Sequence, residues 1–144
     1  MWANWRISIA GFLASALVVA QPARPDYGSI NDEALIVSII SLIANGPAYD
    51  GKAVRVVGAF RIEFEGDALC LDGESLRHRV HANCISLGVD PRALGTTREA
   101  LASLNERYVL VEGTFRVEEK GHISVNVAGG LDPVSRVFPR EDPP

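Results

Sequence analysis

VRVVGAFRIEFEG, residues 54–66, returns 55 positions later as VLVEGTFRVEEKG, residues 109–121. Seven of the 13 positions are identical: Val54/Val109, Val56/Val111, Gly58/Gly113, Phe60/Phe115, Arg61/Arg116, Glu63/Glu118 and Gly66/Gly121. The apolar residues alternate in both copies, as Val54, Val56, Phe60, Ile62 and as Val109, Val111, Phe115, Val117. A period of two belongs to a strand with one buried face. Gly58 and Gly113 fall on the inward phase in mid-strand. Such a glycine weakens a flat strand but suits one that coils sharply around a small closed barrel. Each copy ends in a turn, Glu65-Gly66-Asp67 or Lys120-Gly121-His122, and a shorter strand is expected after it.

Upstream of the first copy, NDEALIVSIISLIANGP (residues 31–47) reads as a helix. Asn31 or Asp32 caps it, Asp32 and Glu33 place negative charge on its first turn, and Gly46-Pro47 stops it. Leu35, Ile36, Ile39, Ile40, Leu42 and Ile43 make it apolar on most faces, which predicts a largely buried helix. Between the copies lie a short strand, NCISL, a loop, GVDPRALG, and a second helix with capping-box spacing at Thr96-Thr97-Arg98-Glu99 and Leu101 and Leu104 to bury. Five strands, two of them long and coiled, describe a mainly β fold. The expected architecture is a five-stranded OB-like barrel with an N-terminal helix and a short helix between strands 3 and 4.

The chain also resembles a group of small, uncharacterised bacterial exported proteins with an OB-like fold. The resemblance is carried by Y-D-G-K-x-V-x-V-x-G at residues 49–58, E-F-E-G-x-A-L at 63–69, Y-V-x-V-E-G-T-F at 108–115 and K-G-H at 120–122. It spans roughly residues 38–126, most of the chain past its first 20 residues. Its landmarks are turn and strand glycines with a few acids, so it implies a fold and no catalytic residue. Cys70 stands where that pattern has an aromatic residue, which makes any cysteine chemistry peculiar to this chain.

MWANWRISIAGFLASALVVA, residues 1–20, has the features of a signal peptide: Arg6, then an apolar run from Ile7 to Ala20, with Val18 and Ala20 at the small-residue cleavage positions. The run is shorter than the roughly 18–20 residues a membrane-crossing helix needs. A cleaved leader is therefore expected, with an uncleaved inner-membrane anchor as the alternative. Residues 21–30, QPARPDYGSI, read as a flexible lead-in, residues 31–138 as the OB-like domain and residues 139–144 as a flexible tail. Loss of Arg6 leaves 13 of the 14 basic side chains against 18 acids, net −5. That charge opposes nucleic acid, whose affinity comes from clustered Lys and Arg. Both tryptophans lie in the leader, and Phe60, Phe64 and Phe115 share the inward parity, which leaves Tyr49 and Tyr108 as outward rings for stacking. Arginine outnumbers lysine 12 to 2, a bias associated with GC-rich bacterial genomes.

Cys70, His78, His81 and Cys84 raise the question of a metal site. Zinc ligands usually come in tight pairs, but these cysteines are 14 positions apart and Arg77 and Arg79 would repel a cation, so no metal or other cofactor is expected. A disulfide between Cys70 and Cys84 fits two cysteines in an exported chain. The phase leans against it: alignment with Val125 puts Cys70 inward, while Cys84 alternates with Ile85 and Leu87 and points out, but Leu69 and Leu71 are also apolar and leave the phase of Cys70 open. Bridge and buried thiols both stay open. The acids Glu63, Glu65, Asp67, Asp72 and Glu74 lack the oxygen-rich continuation of a calcium loop and read as a solvated hairpin end.

No nucleophile elbow, S-x-x-K or H-E-x-x-H is present, and no catalytic residue is expected. Arg61, Glu63, Arg116 and Glu118 lie on the outward phase of the repeated strands and, with Tyr108, form the candidate binding face. The expected protein is a non-enzymatic binding module, periplasmic or secreted, whose partner is a small ligand or an envelope protein. Membrane contact is expected only through an uncleaved leader. A nucleic-acid-binding OB protein and an envelope enzyme are the alternatives.

Overall fold

The computed structural model describes residues 23–64, 66–117 and 127–140. Its elements are β1 (Tyr27–Gly28), β2 (Leu35–Ile36), α1 (Ile39–Ala44), β3 (Ala53–Arg61), β4 (Ala68–Cys70), α2 (Gly73–Arg77), β5 (Cys84–Leu87), α3 (Arg98–Ala102), β6 (Tyr108–Val117) and β7 (Gly129–Pro139). Strands β3, β4, β5, β7 and β6 pair in that order, and β6 returns to β3 to close a five-stranded barrel. All junctions are antiparallel except β5 with β7. This is the OB-like barrel expected from the repeat, with α3 between its third and fourth strands.

The two repeat copies are hydrogen-bonded to each other. Val56 stands opposite Val111, Val54 opposite Gly113 and Gly58 opposite Val109, so residues equivalent in the repeat are related by a local twofold axis through the Val56–Val111 pair. Each copy's glycine faces the other copy's valine. The inward residues Val54, Val56, Phe60, Val109, Val111 and Phe115 are fully buried, and they form one core with Leu69, Ile85, Leu101, Leu104, Leu131 and Val137. Gly58 sits where β3 passes from pairing with β6 to pairing with β4; a Cβ there would meet the Cys70 carbonyl oxygen and Ile39 Cδ1, both at 2.6 Å.

Several boundaries differ from those read in the sequence. The N-terminal helix begins only at Ile39, capped by Ser38, whose Oγ accepts from the Ser41 N–H. Asn31 is engaged elsewhere: its N–H donates to Glu112 Oε2 and its carbonyl accepts from Arg55, residues 31–34 form a turn, and Leu35 and Ile36 then pair with β3. Tertiary anchoring overrides the local helical pattern, and Ile36 is left 82% exposed. The expected flexible lead-in is pinned from Asp26 onward, through a bidentate bond from Arg136 and the pairing of β1 with β7. Thr97, not Thr96, caps α3.

The last strand runs from residue 129 to 139, longer than the short strand expected after the second repeat and through the start of the expected tail. Asp132 and Pro133 are absorbed by register shifts between β6 and β7, where a residue without an N–H breaks no ladder bond. The leader, Glu65, Glu118, the Lys120-Gly121-His122 turn, Val125 and residues 141–144 lie outside the described residues.

Candidate functional site

Cys70 and Cys84 are directly opposed across β4 and β5, with Cα atoms 4.0 Å apart, and they form a disulfide. The phase expected for Cys70 was one residue out. Leu69 and Ile85 point into the barrel, while both cysteines lie on its outer surface beneath Leu76 of α2, in a small cluster with Ala59. The bridge therefore closes the excursion between β4 and β5, joining cysteines 14 positions apart, and that excursion forms one wall of a cleft.

The cleft, about 270 Å³, lies on the outer face of β4 and β5. Its floor is Ala68, Leu76 and the two cysteines; Arg61, Glu63, Asp67, Arg79, His81 and Ser86 supply its polar groups, and Val127 also lines it. Glu63, Gly66 and Asp67, which follow β3, form the opposite wall. Asn105 holds that wall in place, its Oδ1 accepting from the Ile62 N–H and its Nδ2 donating to the Ile62 carbonyl.

Ion pairs organise the rim. Arg79 donates from both terminal nitrogens to Glu63, at 2.9 and 3.3 Å. Arg98 holds Asp67 at 2.7 Å, and Arg61 reaches Glu106 at 3.5 Å and the Leu76 carbonyl at 3.1 Å. The acids read as a solvated hairpin end are thus largely engaged. Asp72 caps α2, and the hydrogen bond from the Ser75 N–H holds its carboxyl below the usual range. Among the described residues, Arg79 and Glu106 are the two non-glycines with left-handed backbone, φ 53° and 66°. Each costs about 1 kcal/mol relative to an ordinary conformation. Both carry a partner in these rim pairs.

His78 faces Glu74 in the exposed α2 turn, whereas His81 lines the cleft with its ring free of hydrogen-bonding partners among the described residues. With both sulfurs in the bridge, the four residues first weighed as a metal site form no ligand set.

The candidate binding face is only partly brought together. Arg61 and Glu63 line the cleft. Arg116 belongs to the same outer row, Arg61–Ala68–Ser86–Gly130–Arg116, but stands beyond Gly130, outside the lining. Tyr108 lies on the far side of β3, opposite Ala59, and is not part of the cleft. Glu118 lies outside the described residues. Arg79, His81 and Ser86 were not singled out for binding; the cross-strand row through Ser86 becomes visible only once strand register is known. Phe64 was assigned inward by parity. The strand ends at Arg61, however, and Phe64 is 90% exposed at the hairpin tip beside the cleft. The turn sequence Glu63-Phe64-Glu65-Gly66 was the available sign.

A second groove, about 620 Å³, is wider and lined by Ile36, Val37, Tyr49, Val57 and Leu110. Ser38, Ser41 and Arg140 line it as well, and its Arg55 is committed to Glu112 and Asn31. Comparison of the chain with protein-family models, curated proteins and solved structures finds no match.

Proposed function

We propose that this protein is an exported, non-catalytic binding module of the bacterial cell envelope, and that its ligand occupies the cleft over β4 and β5. The observation that carries this reading is the pair of left-handed residues, Arg79 and Glu106, retained where glycine would cost less. Arg79 lines the cleft and Glu106 reaches its Arg61 from outside the lining, so conformational cost is accepted where polar groups are arranged around a concave surface. Small OB barrels use the same face, between the first and fourth connections, to hold ligands, a likeness of fold alone. The leader sequence, the group resemblance and the disulfide support export, because disulfides persist in oxidising compartments. Carboxylates tied to guanidinium groups support holding a ligand over exchanging protons with it.

Amide NMR of the folded chain against a fragment library spanning neutral, anionic and cationic compounds tests the location. Perturbations are expected to cluster at Ala68, Arg79, His81 and Ser86. If they gather instead around Ile36 and Val57, the cleft is not the site.

A further inference from the structure

Resting on the reading of the cleft as a ligand site, we infer that its ligand is an uncharged, polyhydroxylated ring, a neutral saccharide. The charges decide the class. Arg61, Arg79 and Arg98 meet Glu106, Glu63 and Asp67 one to one, at 3.5, 2.9 and 2.7 Å, so among the described residues these rim pairs carry no net charge. An incoming phosphate would lie close to these carboxylates and gain little from guanidinium groups already engaged. A cationic ligand meets the mirror-image obstacle.

Hydroxyl groups meet neither. Each donates once and accepts twice, and the rim offers carboxylate acceptors beside guanidinium donors at fixed positions. Two further groups have no hydrogen-bonding partner among the described residues: the exposed Ser86 hydroxyl and the His81 ring. Either can donate or accept. Beneath them, Ala68, Leu76 and the disulfide form an apolar floor for the C–H face of a ring. Phe64, exposed at the hairpin tip, supplies a flat apolar surface beside the entrance.

The test is amide NMR of the intact domain titrated separately with maltotriose, cellotriose, chitotriose, hexathymidylate and inorganic phosphate. At least one neutral trisaccharide should perturb Arg79, His81 and Ser86, while hexathymidylate and phosphate leave them unmoved. Ser86→Ala and His81→Ala, both at the surface, should weaken that trisaccharide roughly fivefold each without disturbing the rest of the spectrum. Glu63→Gln removes one anion from the balanced rim and should make phosphate binding appear at the cleft. Phosphate or hexathymidylate binding to the unaltered cleft, with no trisaccharide bound, overturns the saccharide assignment and leaves the cleft as a site. If no trisaccharide binds and the fragment library also leaves the cleft unperturbed, both readings fall.

Discussion

Gly58 and Gly73 show how differently one residue type is constrained in this chain. A Cβ on Gly58 would press on the backbone oxygen of Cys70 at 2.6 Å, while nothing lies within 4 Å of one on Gly73. Ile39 Cδ1 can turn away from position 58, but the β4 carbonyl can move only with its strand. Gly58→Ala should therefore destabilise the fold by about 2 kcal/mol. Gly73→Ala, in the first turn of α2, should stabilise it by about 0.5 kcal/mol through the unfolded chain. Urea unfolding of both variants checks the pair, and equal midpoints would contradict the close approach at Gly58. Phe64 shows the limit of reading single residues. Parity placed it inward, and only the point where β3 stops pairing shows that it faces solvent.

Among the elements, the disulfide-closed excursion from β4 to β5 has the most direct consequence. Its Leu76 rests on the bridge, and its remaining ties are polar, such as Asn83 Nδ2 donating to Ser75 Oγ and Arg79 to Glu63. Closing a loop of this length in the unfolded chain is worth about 3 kcal/mol. The double variant Cys70→Ala/Cys84→Ala should lose about that much, and a dithiol reductant should lower the wild-type midpoint while leaving the variant unmoved. A wild-type midpoint insensitive to reductant under denaturing conditions would argue that the bridge contributes nothing. Legibility also separates at this scale. β3 and β6 announced themselves because long alternation with a repeated glycine has few other readings. β7 did not: Gly129-Gly130 and Asp132-Pro133 look like breakers until a bulge in a closed barrel accommodates them. The N-terminal helix is expected six or seven residues too long because its apolar pattern carries no trace of the buried glutamate that anchors Asn31 in a turn ahead of β2. The cleft was half legible: Arg61 and Glu63 follow from strand phase, whereas Arg79, His81 and Ser86 depend on register and on a left-handed turn.

Taken as a whole, the molecule is a barrel tied across its outside by its own N-terminal segment, residues 26–37, and Glu112 is the knot. This side chain is fully buried although it lies on the outward phase of β6, between Arg55 of β3 and Arg136 of β7 in the same cross-strand row. Its Oε1 accepts from both arginines, at 2.8 and 3.1 Å, and its Oε2 from the Asn31 N–H. Arg136 continues the chain of charges to Asp26, and that hydrogen bond holds the Asp26 carboxyl below its usual range. Glu112→Ala would leave two arginines facing each other without their anion, and a loss of about 3–5 kcal/mol is expected. The Asp26 end gives a milder, pH-dependent effect. Its folded value is lowered, so in the acid range the unfolded segment binds more protons than the anchored one. Anchoring is then complete above the ordinary carboxylate value of about 4 and fades as pH falls through it toward the lower folded value. Hydrogen exchange, corrected for intrinsic rates, should show Tyr27, Gly28 and Ser29 losing protection between pH 5 and pH 3, while Val56 and Val111 keep theirs. Asp26→Asn should lower that protection at pH 6 and remove its acid dependence. Protection at Tyr27 that holds unchanged to pH 3 in the wild type would mean that Glu112 and the β1–β7 pairing hold the segment without Asp26.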